Sequence, residues 1–258
     1  MRFSKWHALG NAYLLVEQAE SGRELTSELV RRLCDVHFGI GADGVVDVVR
    51  VDGSEADVVI WNPDGSTAEF SGNGARIAAR WLAERTRTDA VRLRVGGRDV
   101  EARMRDANVE LEVSDVSVGP PEVLDLHGEP LAFTPVSLGN QHAVVRLDFD
   151  EIDARFYGPL FQDDPRFPGG TNVQLVRVLG PHELRIAVWE RGVGATLSSG
   201  SSAIAAAAAA VANGWCESPV TVTFPGAGDL LVELDGEFDA RLTGPVDEIC
   251  RGETALGD

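Results

Sequence analysis

The chain has 258 residues, 44% of them apolar, which is enough for one large domain or two of ordinary size around a sizeable core. Its 23 basic and 41 acidic residues leave a net charge of −18, a surface that repels a phosphate backbone and argues against nucleic acid as a partner. No apolar run approaches the roughly 18 residues that cross a bilayer, and MRFSKWHALGN breaks at Gly10-Asn11 without a signal-peptide core, so no membrane association is expected and the cytoplasm is the expected compartment.

Taken in chain order, RFSKW reads as a short strand and carries Lys5, the only lysine. A pyridoxal enzyme needs a lysine for its Schiff base, and a short strand near the chain start is a poor place for one, so pyridoxal chemistry is not expected. The run SGNGARIAARWLAE, beginning at Ser71, reads as a helix. From Val91 to Val116 polar and apolar residues alternate, with turns at Gly96-Gly97 and Asp106-Ala107-Asn108, which reads as a meander of antiparallel strands. The prolines of SVGPPEV place a domain boundary near residue 116. The run Ala203 to Ala212 is strongly helix-forming and has no polar face, so it must be buried. VTVTF, LLVEL and DARLTG then read as further strands.

The chain also contains itself twice. Leu9-Gly10-Asn11 returns as Leu138-Gly139-Asn140, 129 residues later, and Trp61 to Ser71 returns as Trp189 to Ser199, 128 residues later. Two echoes at nearly one shift, close to half the chain length, argue for duplication. The expected fold is therefore α+β, with two pseudo-symmetric domains, 1–116 and 117–258, each a curved, mostly antiparallel sheet around one central helix. The last strand is a candidate to return to the first domain.

Each half places Ser-Gly where a glycine-containing loop turns into a helix, at Ser71-Gly72 and Ser199-Gly200. Hydroxyl and N–H groups there lie at the positive end of a helix dipole, an arrangement that binds an anion and stabilises enolate-like charge. The plainer reading is that both serines are ordinary N-caps. Their symmetry favours a functional pair.

Three cysteines, Cys34, Cys216 and Cys250, lack C-x-x-C spacing and read as free buried thiols. The histidines, His7, His37, His127, His142 and His182, stand singly, so no metal is expected.

HALGNAYLLVE, CDVHFGIGADGVV, WNPDGSTAEFSGNGAR, SLGNQHAVV, GGTNVQLV and WERGVGATLSSG resemble, in order and spacing, the motif blocks of the diaminopimelate epimerase family. The resemblance implies an isomerase of lysine biosynthesis that converts L,L-diaminopimelate to the meso form without a cofactor, in a site between two domains. It also implies a small amino acid as the partner and leaves a homodimer open. In that family two cysteines on opposite faces of the substrate remove and return the α proton, and their positions correspond to Ser71 and Ser199.

Carried over in the same way, Asn11, Asn62, Asn140, Asn172, Glu190 and Arg191 hold the substrate. Arg191, with Asn62 and Asn172, takes the distal carboxylate, for which a planar guanidinium is suited. Gly72, Asn73, Gly200 and Ser201 cradle the reacting carboxylate. Each asparagine alone reads equally well as a turn or cap residue.

A serine hydroxyl is a far weaker acid than a thiol, whose ordinary pKa is about 8.5. A serine site therefore needs a base, for which His142, Glu69, Asp64 and Glu190 are the candidates. Two alternatives stand beside the epimerase: an isomerase or lyase of the same fold with a carboxylate or histidine base, and a non-catalytic amino-acid-binding paralogue.

Overall fold

The computed structural model describes residues 1–126, 129–147, 154–162 and 164–256. The chain divides into two compact units, Met1–Glu112 with Thr243–Asp258, and Val113–Leu242. His127 lies outside the described residues.

In the first unit, the strands Arg2–Ala8, Asn11–Glu17, Gly44–Asp52, Glu55–Trp61, Ala90–Val95 and Arg98–Arg105 pair in that order. The pairings run antiparallel, parallel, antiparallel, parallel, antiparallel. Asp247–Glu253 adds an antiparallel strand beyond Arg2–Ala8. The helix Gly72–Thr86 touches all six of the strands named first. Alternation drives this arrangement: Val91, Leu93 and Val95 are buried between exposed neighbours, as are Val100 and Ala102. The helix answers with Ala75, Ile77, Ala78, Ala79, Leu82 and Ala83, all buried.

The second unit repeats the plan. Glu129–Ser137, Gln141–Arg146, Asn172–Gly180, Glu183–Glu190, Val220–Phe224 and Gly228–Leu234 pair with the same succession of senses around the helix Gly200–Ala212. Even the register is copied. Tyr13 pairs with Gly44 as His142 pairs with Asn172, Val45 with Trp61 as Val173 with Trp189, and Trp61 with Thr67 as Trp189 with Ala195. The expected duplicated α+β fold, each half a sheet on one central helix, is thus borne out. Gly200 through Ala210 are all buried, and the alanines let six strands approach the helix closely.

Expecting a single helix in each half falls short. Ser27–Cys34 is an amphipathic helix capped by Thr26 Oγ1, which accepts from Leu29 N, and it buries Leu29, Val30, Leu33 and Cys34. Ala154–Gln162 packs against the strands Asn172–Gly180 and Glu183–Glu190. Both are short, with few periodic positions to read. Cys34 and Cys216 are buried, but Cys250 is exposed because its strand lies at the sheet margin beside Arg2–Ala8. No helix is long and apolar enough to cross a membrane among the described residues.

Candidate active site

In the first unit, Ser71 has extended backbone and caps the helix, its Oγ accepting from Gly74 N at 3.2 Å. Tyr13 Oη stands 3.3 Å from the same Oγ. Gly72 and Asn73 are buried in the first turn, where Asn73 Oδ1 accepts from Arg76 Nη2 at 2.9 Å. Arg76 is fully buried, and its Nε and Nη1 have no hydrogen-bond partner among the described residues. Burial pulls its pKa down to about 10, with the neighbouring Tyr13 pulling the other way. Asn11 is buried on the strand that carries Tyr13.

Asn62 and Asp64 make their side-chain hydrogen bonds within their own turn and not with this cluster. Asn62 Nδ2 donates to Ser66 Oγ at 3.0 Å, and Asp64 Oδ1 accepts from Ser66 N and Oγ at 2.8 and 2.6 Å, so the two share a turn. Those bonds hold the Asp64 carboxyl below its ordinary pKa. Glu69 is exposed.

In the second unit, Ser199 caps the helix Gly200–Ala212, its Oγ accepting from Ser202 N at 3.4 Å. The capping reading of both serines is therefore realised, and it leaves their hydroxyl protons free for other work. Ser199 Oγ donates to Glu190 Oε2 at 3.1 Å, while Thr196 Oγ1 donates to Oε1 at 2.7 Å. Ser201 Oγ is 3.4 Å from Ser199 Oγ. Asn172 Oδ1 accepts from Arg191 N at 3.0 Å, and its Nδ2 donates to Gln141 O, so the asparagine fixes the backbone that carries the exposed arginine.

His142 is 1% exposed and bonded at both ring nitrogens, to Asn140 Oδ1 at 3.1 Å and to Gln174 Nε2 at 2.9 Å. Gln174 Nε2 also donates to Ser202 Oγ at 3.0 Å. Burial drives the imidazole pKa down to about 3, aided by Arg191 and opposed by the Gln174 bond. Gln174 and Thr196 escape a reading of the sequence, although Gln174 is a polar residue set among Val173, Leu175 and Val176. Tyr13 and Arg76 escape it too, since each is unremarkable outside its fold.

The diaminopimelate epimerase family model matches residues 3–124 and 134–248. The chain belongs to the diaminopimelate epimerase family. It is 38% identical to the diaminopimelate epimerase of Pelotomaculum thermopropionicum over 98% of both chains. It is 36% identical to diaminopimelate epimerase 2 of a Nostoc species, over 98% of this chain and 95% of that one. The solved structure of a hydroxyproline epimerase from Agrobacterium vitis superposes with a TM-score of 0.78 at 17% identity, covering 100% of this chain and 93% of that one, a likeness of fold.

Members of the diaminopimelate epimerase family are isomerases acting on a small amino acid. Within this chain, each unit offers a helix N-terminus with a hydroxyl at its mouth, and the second adds a carboxylate bonded to that hydroxyl. Such a pair can pass a proton: the serine gives its own to the carboxylate in the step in which it accepts another. Among the described residues no cluster of His, Cys, Asp or Glu is placed to hold a metal. Lys5 Nζ is engaged with Gly41 O at 2.6 Å.

Proposed function

We propose that the chain epimerises diaminopimelate at its α carbon without a cofactor, and that Glu190 is the base behind Ser199. The bond from Ser199 Oγ to Glu190 carries this reading. The other candidates fit the role less well. His142 is enclosed and held neutral, and Asp64 is committed to its turn with Ser66.

On this reading Ser199 receives the α proton as Glu190 takes the hydroxyl proton, and Ser71 returns a proton to the opposite face. Gly72, Asn73, Gly200 and Ser201 support the reacting carboxylate through the helix N-termini. Arg191, held by Asn172, takes the distal carboxylate, with Asn62, Asn11 and Asn140 lining the remainder. The work is done in the cytoplasm by a homodimer.

Proton-exchange NMR in heavy water with L,L- and meso-diaminopimelate tests the proposal. Deuterium uptake at the α carbon with interconversion of the two isomers is expected. Binding without any exchange would instead support an amino-acid-binding paralogue, and exchange that persists in Ser199→Ala would favour Glu190 acting directly as a carboxylate base.

A further inference from the structure

Glu190 stands behind Ser199 as a proton acceptor, and the group beside the Ser71 hydroxyl is a phenol. Gly74 N–H can only donate to Ser71 Oγ, which leaves the hydroxyl proton and one lone pair for Tyr13 Oη, 3.3 Å away. That distance exceeds an ordinary O–H···O bond, but catalytic hydrogen bonds commonly tighten only around substrate.

The placement of Tyr13 is built in from below. A Cβ at Gly44, its partner in the parallel ladder, would lie 2.5 Å from Tyr13 Cε1, so only glycine lets the ring sit where it does. The duplication supplies a second argument. Tyr13 pairs with Gly44 as His142 pairs with Asn172, and His142 is tied through Gln174 to Ser202 on the other capped helix. Both units therefore set a proton-bearing ring at one strand position beside the serine-capped helix start. A third argument is Arg76, a fully buried guanidinium whose Nε and Nη1 are unbonded among the described residues and which interacts electrostatically with Tyr13. A buried cation favours an anion beside it.

We propose that Tyr13 is the proton partner of Ser71. This rests on the epimerase reading above. As the α carbon's electron pair takes the Ser71 hydroxyl proton, the Tyr13 O–H bond breaks and its proton passes to Ser71 Oγ. The phenolate left behind is stabilised by Arg76, and the opposite direction runs the same bonds backward. Because it acts through Ser71, Tyr13 is a positioning residue.

Two measurements test it. The chain has two tyrosines, Tyr13 and Tyr157, so in a Tyr157→Phe background the ultraviolet absorbance of the phenolate reports Tyr13 alone. Ser71→Ala is expected to move that titration midpoint, and an unmoved midpoint overturns the proposal. In the exchange assay, Tyr13→Phe should lower kcat at least about tenfold with KM little changed while residue 71 is serine. In a Ser71→Cys background the loss should be much smaller, since a thiol ionises without such a partner. Equal losses in both backgrounds would assign Tyr13 to packing and overturn the proposal. If the unmodified chain turns over no diaminopimelate, the epimerase reading fails, and the midpoint alone decides the link between Tyr13 and Ser71.

Discussion

Ser199 and Glu190 are joined by a hydroxyl-to-carboxylate bond of 3.1 Å, and Thr196 occupies the other carboxylate oxygen at 2.7 Å. The carboxylate is thereby aimed at the hydroxyl that caps the helix Gly200–Ala212. Glu190→Gln keeps an oxygen for one of these bonds and removes the proton acceptor. It is expected to lower kcat by about 10² to 10⁴ while leaving circular dichroism unchanged, as measured by α-proton exchange.

Replacing both serines by cysteine supplies groups that ionise near neutral pH and are favoured at helix N-termini. The Ser71→Cys/Ser199→Cys variant should raise α-proton exchange at least about tenfold. A variant that folds, binds diaminopimelate and shows no gain would mean that the hydroxyls are not the limiting groups.

His142 is neutral when folded, with a pKa of about 3 against an ordinary 6.5. The unfolded chain gains the proton first as pH falls, so this group's contribution is whole above about 6.5 and is lost progressively towards 3. Below 6.5 the loss is roughly 1.4 kcal/mol per pH unit. Denaturant melts across this range should show a shallower acid slope for His142→Gln, which cannot take up that proton.

Asp47 is 2% exposed, with Oδ2 accepting from Gln18 and Trp61 and Oδ1 unpartnered among the described residues. Burial raises its pKa, opposed by those two bonds. The folded state therefore holds the proton longer than the unfolded one, and stability falls as pH rises from the ordinary carboxylate range to the raised value. Asp47→Asn keeps both acceptor bonds and never ionises. It should melt at a higher temperature than the unmodified chain at neutral pH, with little difference near pH 3.

Gly44→Ala would press a methyl group against the Tyr13 ring and the Trp61 carbonyl, at 2.5 and 2.6 Å. Overpacking of this kind costs about 1–3 kcal/mol. A lowered urea midpoint with an unchanged slope is expected, together with a loss of kcat larger than stability explains, because Tyr13 is displaced.

Much of the fold was legible because duplication writes the same message twice: Trp61 to Ser71 and Trp189 to Ser199 mark equivalent strand-to-helix corners. The alanine-rich helix Gly200–Ala212 announced its own burial. The short helix Ser27–Cys34 was not legible, since eight residues offer little periodicity. Within the site, the serines could be found from their glycines and helix starts. Tyr13, Thr196 and Gln174 could not, because their neighbours are brought to them by packing of strand against helix start across 28 or more residues for Tyr13 and Gln174, and by a tight strand corner for Thr196.

The pairing of Asp247–Glu253 with Arg2–Ala8 has a consequence for biosynthesis. A ribosome releases Met1–Glu112 long before it makes Asp247–Glu253, the strand added to that unit's sheet, whereas Val113–Leu242 is one continuous stretch of chain. Nascent chains ordinarily mature from the amino-terminal end onward. Here Val113–Leu242 can mature first, while the Arg2–Ala8 edge stays open until Asp247–Glu253 has been made.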